Sequence, residues 1–321
     1  MSGPAIISAR GLTKRYGKTT VVDGIDFDVA KGEIFGLLGP NGAGKTTTIL
    51  MMLGLTEVSA GTIQVLDHNP ERDPLAVKRR VGYLPDQVGF YDNLTAADNL
   101  LYTAQLIGIP ARERGARVME ALRRVKLDDV AHKRVKTFSR GMRQRLGLAE
   151  IVMKRAEIAI LDEPTSGLDP QATVDFLEMI EGLKRSGVSV LLSSHLLDQV
   201  QRVCDRVALF QAGRIVLIGT VPELARQVLG AGFVVEVEAD ASTDLDARFG
   251  AIPGVTSVVR VGPDRYRLTA DRDVRPEAAR AVVAANGALR RLSVDDPSLE
   301  SIYTSFFQKQ ASTEEGKRNA A

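Results

Sequence analysis

Gly39-Pro40-Asn41-Gly42-Ala43-Gly44-Lys45-Thr46 matches the phosphate-loop pattern G-x-x-x-x-G-K-[ST] at every fixed position. The apolar run Ile34-Phe35-Gly36-Leu37-Leu38 before it predicts a buried strand, and the run from Thr47 to Leu53 after it predicts a helix. A strand, a glycine-rich loop and a helix in this order are the context in which the pattern binds phosphate. The stretch therefore predicts an α/β fold with a site for a nucleoside triphosphate.

The expected contacts of this loop follow from its residue types. Glycines allow backbone N–H groups to wrap the phosphates, and the helix that follows adds the partial positive charge of its N-terminus. We expect the Lys45 ammonium to reach the β- and γ-phosphate oxygens and the Thr46 hydroxyl to bind Mg²⁺. The predicted nucleotide contacts in this stretch are Gly39, Asn41, Gly42, Ala43, Gly44, Lys45, Thr46 and Thr47.

A second signal for this site is the apolar strand Ile158-Ala159-Ile160-Leu161, which ends in Asp162 and Glu163. At the carboxyl end of a strand beside the phosphate loop, Asp162 is expected to hold Mg²⁺, directly or through water. Glu163 is then expected to orient and deprotonate the attacking water as a general base. The two carboxylates therefore predict hydrolysis of the triphosphate.

Composition restricts the classes of protein that fit this chain. Its 321 residues carry a net charge of +2 and are 44% hydrophobic, which indicates a globular protein and no nucleic-acid partner. A single cysteine, Cys204, excludes an internal disulfide. No apolar run reaches the ~18 residues of a membrane span, and the start from Met1 to Ile7 lacks the charged and apolar regions of a signal peptide. We expect a cytoplasmic chain.

The predicted elements divide the chain into two domains and a tail. Strands alternate with helices through residues 1–228, which predicts an α/β core with a largely parallel sheet. A helical stretch at about residues 87–155 predicts a subdomain inserted into that core. Residues 229–310 follow the order βαββαβ, which is typical of a ferredoxin-like α+β domain. The polar residues 311–321 are predicted to form a flexible tail.

Further motifs follow the phosphate loop in a fixed order: Phe138-Ser139-Arg140-Gly141-Met142-Arg143-Gln144-Arg145, Asp162-Glu163, Ser166-Gly167-Leu168-Asp169, and His195 after Leu192-Ser193-Ser194. Together they resemble the ATP-binding subunit of ATP-binding-cassette (ABC) transporters over residues 5–225. The first is similar to that family's Leu-Ser-Gly-Gly-Gln signature. The resemblance implies that Ser139 and Gly141 face ATP bound by a partner subunit, and that Asp169 belongs to the D-loop at the same site. It also implies that His195 contacts the γ-phosphate and that Tyr16 stacks on adenine.

Two segments depart from the family's pattern. In the signature, Arg140 replaces the first glycine and Met142 replaces the final glutamine. In the segment from Gly82 to Gln87, Asp86 stands where the family has its Q-loop glutamine. An aspartate there could bind Mg²⁺ through oxygen, and Gln87 could do so after a shift of one residue. The sequence leaves both interpretations open.

The resemblance also implies a function for the whole chain. Two copies, or this chain and a homologue, would close head-to-tail around ATP and Mg²⁺ and drive export through a separate transmembrane permease. The subunit would then lie on the cytoplasmic face of the cell membrane. The domain over residues 229–310 resembles that of drug-resistance and sodium-extrusion ATPase subunits, and we expect it to regulate turnover or stabilise the dimer. Two alternatives are a soluble mechanical ATPase acting on ribosomes or DNA, and a binding module that ATP only switches.

Overall fold

The structure is a computed structural model, and it describes residues 4–229, 233–240, 245–295 and 298–307. The chain forms two compact units, the first ending at Ile218 and the second beginning at Gly219. The sequence interpretation set this boundary ten residues later, at 228/229, because no polar linker marks the position where a strand passes through Gly219 into the next helix. The predicted flexible tail, residues 311–321, lies outside the described residues.

Among the described residues, the first unit contains nine strands and seven α-helices. Its elements in chain order are β1 (Ala5–Tyr16), β2 (Thr19–Ala30), β3 (Ile34–Leu38), α1 (Lys45–Met52), β4 (Ala60–Val65), α2 (Pro74–Arg80), β5 (Val81–Leu84), α3 (Ala96–Leu106), α4 (Ala111–Arg124), α5 (Arg140–Lys154), β6 (Ile158–Asp162), α6 (Pro170–Arg185), β7 (Ser189–Ser194), α7 (Leu197–Val203), β8 (Arg206–Gln211) and β9 (Arg214–Gly219).

These strands form two sheets. An antiparallel sheet has the order β2-β1-β4, and a six-stranded sheet has the order β5-β6-β7-β3-β8-β9, in which β5, β6, β7, β3 and β8 are parallel. Strands β3, β6 and β7 are buried along their whole length, as expected for parallel strands covered on both faces. Phe27 of β2 and Phe35 of β3 stack with centroids 5.9 Å apart, so the two sheets share one core. The predicted α/β core is confirmed.

The predicted helical insertion is formed by α3, α4 and α5, which contact one another between β5 and β6 in the chain. Helix α5 lies directly against β5. A Cβ added at Gly82 would come 2.7 Å from Ile151 Cγ2, and one at Gly147 would come 2.3 Å from Leu84 Cδ1. Because the helix and the strand approach so closely, the position of α5 and of its N-terminal residues relative to the parallel sheet is fixed.

The second unit contains α8 (Val221–Leu229), β10 (Phe233–Asp240), α9 (Leu245–Gly250), β11 (Val255–Gly262), β12 (Arg265–Ala270), α10 (Arg275–Ala284), β13 (Ala288–Asp295) and a helix over residues 299–307. Its sheet is antiparallel with the order β11-β12-β10-β13. Phe249 of α9 and Val282 of α10 are fully buried in the same core as Leu268 of β12. From β10 to β13 the order is βαββαβ, so the predicted ferredoxin-like arrangement is confirmed.

Candidate nucleotide site

The phosphate loop connects the end of β3 to the start of α1, as predicted. Its backbone requires glycine at two positions for reasons of conformation and space. Gly39 has a φ of 155°, and a Cβ there would come 2.4 Å from the carbonyl oxygen of Phe210. Gly44, the N-cap of α1, has a φ of 105°, and its Cβ would come 2.8 Å from the carbonyl oxygen of Val21. The loop therefore has no room for larger residues at these positions, and it leads directly into the N-terminus of α1.

Three neighbouring parallel strands end beside this loop. In the sheet register, Asp162 of β6 pairs with Ser193 of β7, and Leu38 of β3 pairs with Ser194. The Gly39 N–H donates to the carbonyl oxygen of Ser194 at 3.3 Å. Because parallel strands end at the same edge of a sheet, the residues that follow them gather at one place. This edge brings together Lys45, Thr46, Asp162, Glu163 and His195.

Lys45 is 5% exposed and lies across the loop. Its Nζ donates to the carbonyl oxygens of Gly39 at 2.6 Å and Pro40 at 3.2 Å, and it lies 3.1 Å from Oε1 of Glu163. The ion pair does not have the direction of a hydrogen bond, so Glu163 Oε1 is a buried acceptor without a hydrogen-bond donor among the described residues. Lysine and glutamate thus face each other where the loop and the strand edge meet.

Thr46 and Asp162 form the oxygen pair that the sequence predicted as a metal site. Thr46 Oγ1 donates to Asp162 Oδ1 at 3.2 Å, and the Ser193 hydroxyl donates to the same oxygen at 2.5 Å. In the part of the chain that the structure describes, no group of three or more His, Cys, Asp or Glu residues could hold a metal ion. The Thr46–Asp162 pair fits Mg²⁺, because Mg²⁺ takes few protein oxygens and completes its shell with waters and substrate phosphates.

Glu163 is held by the end of β7 and by His195. Its N–H donates to the carbonyl oxygen of Ser193 at 3.2 Å and to the Ser193 hydroxyl at 3.0 Å. His195 Nδ1 lies 2.8 Å from Glu163 Oε2. The φ of Glu163 is 48°, in the left-handed region that side-chain-bearing residues seldom adopt. Six other described non-glycine residues share a positive φ, so the candidate role of Glu163 rests on its contacts with Lys45 and His195.

Tyr16 ends β1 with 49% of its surface exposed. Its hydroxyl contacts the Thr56 hydroxyl at 3.4 Å, and the Lys14 ammonium lies 4.8 Å from its ring centroid. An exposed ring is free to stack on a flat base, which is consistent with the adenine contact implied by the resemblance. The stacking of Tyr16 on adenine stays a prediction.

The signature and D-loop residues begin helices. Ser139 is the N-cap of α5, and its Oγ accepts from the Met142 N–H at 3.2 Å. Asp169 is the N-cap of α6, and its Oδ1 accepts from the Ala172 N–H at 2.8 Å. Gly141 lies in the first turn of α5, where the first N–H groups of a helix have no partner within it. These positions suit an anion supplied from outside the chain.

Among the described residues, neither candidate Q-loop residue forms a hydrogen bond with Thr46 or Asp162. Asp86 forms an ion pair with Arg140 at 2.9 Å instead, and Gln87 is exposed. Tyr83 of β5 precedes them in the chain, and its pKa is raised to about 12 by burial and then by the charge of Asp162. Binding of Mg²⁺ by Asp86 or Gln87 stays a prediction.

Sequence reasoning overlooked Ser193. Its side chain is fully buried, and its hydroxyl contacts both Asp162 and the Glu163 N–H. A signal was present, because Ser193 and Ser194 follow the apolar residues Val190-Leu191-Leu192 at the edge where the candidate catalytic groups gather. The parallel pairing of β6 with β7 places Ser193 beside Asp162, and the sequence of either strand alone does not predict that pairing.

Comparison with known proteins identifies the family. Residues 22–166 match the profile of the ABC transporter family. A daunorubicin resistance ATP-binding protein of Streptomyces coeruleorubidus is 36% identical over 301 residues, which cover 90% of this chain and 93% of the relative. The chain belongs to the ABC transporter ATP-binding proteins. A linearmycin resistance ATP-binding protein of Bacillus subtilis is 37% identical over 225 residues, covering 70% of this chain and 72% of the relative.

Solved structures agree with this assignment. The ABC ATPase matches a structure described as the ATP binding subunit of an ABC transporter with 31% identity and a TM-score of 0.63, over 69% of this chain and 92% of that one. The resemblance stated from the motifs is therefore confirmed, and the ABC ATPase binds and hydrolyses ATP. Among the described residues, its helices include none with the length and apolar character of a membrane span.

Proposed function

We propose that the ABC ATPase powers export through a separate membrane permease, with two ATPase subunits closing head-to-tail around ATP. The observation that carries the proposal is the gathering of Lys45, Asp162, Glu163 and His195 beside the phosphate loop. Relatives named for resistance to daunorubicin and linearmycin, and for bacitracin transport, support a role in moving compounds across a membrane. The proposed site of action is the cytoplasmic face of the cell membrane.

In the proposed mechanism, the chain mainly positions groups and compensates charge. Lys45, already aimed across the loop, would bind the β- and γ-phosphate oxygens. Glu163 would accept a proton from the attacking water, since its buried Oε1 has an unused acceptor site in the described part of the chain. His195, 2.8 Å from the other carboxylate oxygen, would hold Glu163 in place and face the γ-phosphate. Thr46 and Asp162 would hold Mg²⁺, which offsets negative charge on the phosphates when bound.

The second subunit would complete the site. Ser139, Gly141 and Asp169 are proposed to face ATP held by the phosphate loop of the partner, and Tyr16 to stack on adenine in its own subunit. The N-terminus of α5 supports this, because a capped helix start with a serine hydroxyl is suited to phosphate. A homodimer and a heterodimer with a related ATPase both satisfy this geometry.

An exposed apolar surface on the helical insertion is the proposed docking surface for the permease. Tyr91 and Tyr102 meet edge to face with centroids 5.2 Å apart, and both are exposed. Further exposed apolar residues lie in the same segment, with Leu94 before α3, Leu101 and Leu106 on it, and Ile107 at its end. Exposed apolar groups concentrated in one segment favour a protein partner.

We propose that the second unit stabilises the dimer or regulates turnover. The similarity to the daunorubicin resistance protein runs over 301 residues, so it includes this unit. Strand β11 is an edge strand of its sheet, and Val259 and Val261 are 50% and 48% exposed on it. An apolar strand edge is suited to pairing with another chain.

The two alternatives have less support. A mechanical ATPase acting on ribosomes or DNA would not be expected among relatives named for resistance and transport. A binding module that ATP only switches does not need a glutamate supported by a histidine and lysine at the cleavage site.

The proposal is tested by comparing wild type with Glu163→Gln. We expect wild type to release phosphate from ATP and Glu163→Gln to release it at least about 100-fold more slowly, since a general base contributes about that much. We also expect Glu163→Gln to accumulate as an ATP-bound dimer in sedimentation velocity.

The matched control is Glu181→Gln, which removes an exposed carboxylate on α6 whose nearest cation is Arg185 at 3.5 Å. It should hydrolyse ATP as wild type does. Normal phosphate release by Glu163→Gln would refute the proposed base, and absence of any ATP-driven dimer would refute the proposed closure. Co-purification from detergent-solubilised membranes would then identify the permease.

A further inference from the structure

The two positions that depart from the family's pattern contact each other. Arg140 Nη2 donates to Asp86 Oδ1 at 2.9 Å, although the two residues are 54 positions apart. The family's usual residues at these positions are glycine and glutamine, and glycine has no side chain with which to form such a contact. The two departures from the family's pattern, Arg140 and Asp86, therefore form a single ion pair in this chain.

Two further contacts fix this ion pair in place. Arg140 lies against Gly167 of the D-loop, where an added Cβ would come 3.1 Å from Arg140 Nε and 3.2 Å from its Cζ. Gln144, one turn further along α5 and 1% exposed, donates its Nε2 to the carbonyl oxygen of Asp86 at 3.1 Å. Arg140 therefore connects the signature, the D-loop and the Q-loop position within a single subunit.

The ion pair is weak enough to be exchanged. The side chains of Arg140 and Asp86 are 47% and 46% exposed, so water and salt screen their attraction. An exposed pair of this kind shifts an equilibrium by only about 1.5- to 5-fold. A phosphate group offers a guanidinium more charge and two oxygens in matching geometry, so it is the stronger partner.

We propose that Arg140 binds the phosphates of ATP held by the partner subunit, and that Asp86 holds Arg140 within its own subunit until closure. The inference rests on the proposed dimer. Arg140 is the first residue of α5 and follows Ser139, the residue proposed to face that ATP. Its charge would add to the partial charge of the helix N-terminus, as an arginine supplied in trans does in other phosphate-transfer enzymes.

The proposal predicts opposite effects for the two partners of the ion pair. Removing Asp86 should release Arg140 and favour closure, whereas removing Arg140 should weaken closure. The effect of Asp86 should also require Arg140, because Asp86 is proposed to act only by holding it. A residue that bound Mg²⁺ directly would behave differently, since its loss would weaken closure whether or not Arg140 were present.

The experiment measures the ATP concentration that gives half-maximal dimer by sedimentation velocity, with Mg²⁺ present and Glu163→Gln as the parent. Arg140→Gly should raise this concentration about tenfold or more, as loss of a charged hydrogen bond predicts. Asp86→Asn should lower it about 1.5- to 5-fold. The double variant should match Arg140→Gly. Arg124→Gln is the control, since it breaks the Arg124–Glu120 pair of 3.2 Å on α4, which is about as exposed as the Arg140–Asp86 pair, and should change nothing.

Several outcomes would overturn the inference. An unshifted Arg140→Gly midpoint would show that Arg140 does not contact the nucleotide. If Asp86→Asn raises the ATP concentration for half-maximal dimer, Asp86 binds Mg²⁺ instead of holding Arg140. The same conclusion follows if Asp86→Asn raises that concentration further in the Arg140→Gly background. If the parent forms a dimer and the variants do not shift it, this inference alone fails. If the parent forms no dimer at any ATP concentration, the proposed function fails with it.

Discussion

Replacing Ser193 by alanine tests whether its hydroxyl holds Asp162 in place. The Ser193 side chain is fully buried, and its Oγ donates to Asp162 Oδ1 at 2.5 Å. A hydrogen bond to a charged group contributes about 1.5–3 kcal/mol. The Ser193 hydroxyl also accepts a hydrogen bond from the Glu163 N–H. Losing that bond adds little, because the same N–H still donates to the Ser193 carbonyl oxygen at 3.2 Å. We therefore expect Ser193→Ala to lower the free energy of unfolding of the first unit by about 1.5–3 kcal/mol.

Urea denaturation without nucleotide, followed by circular dichroism, measures this loss, and phosphate release measures its effect on turnover. We expect kcat to fall as well, because Asp162 loses one of the two hydroxyls that orient it. The matched control is Ser189→Ala at the opposite end of β7, where a buried hydroxyl accepts from the Gly32 N–H at 2.7 Å. It should destabilise by about 1–3 kcal/mol and leave kcat unchanged. Wild-type stability and turnover in Ser193→Ala, or an equal loss of kcat in the control, would refute the reasoning.

Three further predictions address the nucleotide, a half-buried carboxyl and the second unit. Lys45→Ala should weaken ATP binding about tenfold or more in calorimetry, because it removes a charged donor to phosphate; an unchanged Kd would contradict this. Burial raises the pKa of Glu150, so the fold favours the protonated carboxyl. The stability that Glu150 contributes is therefore complete below its ordinary pKa of 4.5 and is lost as pH rises through the folded-state pKa. Glu150→Gln should therefore be more stable than wild type near about pH 7, with the advantage shrinking toward about pH 4 in urea titrations; a constant difference would refute this. Val259→Arg with Val261→Arg should weaken ATP-driven dimerisation in sedimentation velocity without changing thermal stability, since both residues are exposed on an edge strand, and an unaltered dimer would exclude that edge.

The phosphate loop and the parallel core were predictable because their signals are local. Strand β3 is an apolar run, β6 and β7 each contain one, and the pattern around Lys45 fixes the loop and the start of α1. The stretch from β10 to β13 of the second unit was predictable for the same reason, whereas α8, which precedes it, was assigned to the first domain. These elements are specified by residues that are neighbours in the chain.

Features that depend on contacts between residues far apart in the chain were not predicted from the sequence. Strand β4 follows no strong apolar pattern, and it lies beside β1 so closely that a Cβ at Gly61 would come 2.2 Å from the Gly11 carbonyl oxygen. The contact between Asp86 and Arg140 joins two motifs that the sequence treated as separate departures. Such contacts depend on which elements the fold makes neighbours, and no single segment contains that information.

The left-handed backbone at Glu163 has a consequence for the evolution of this chain. Holding a non-glycine residue with a φ of 48° costs on the order of 1–3 kcal/mol, a cost from which glycine is largely exempt. Mutants selected for thermal tolerance alone should accumulate glycine at this position and lose the proposed base. The carboxylate can persist only where selection for turnover outweighs selection for a relaxed main chain.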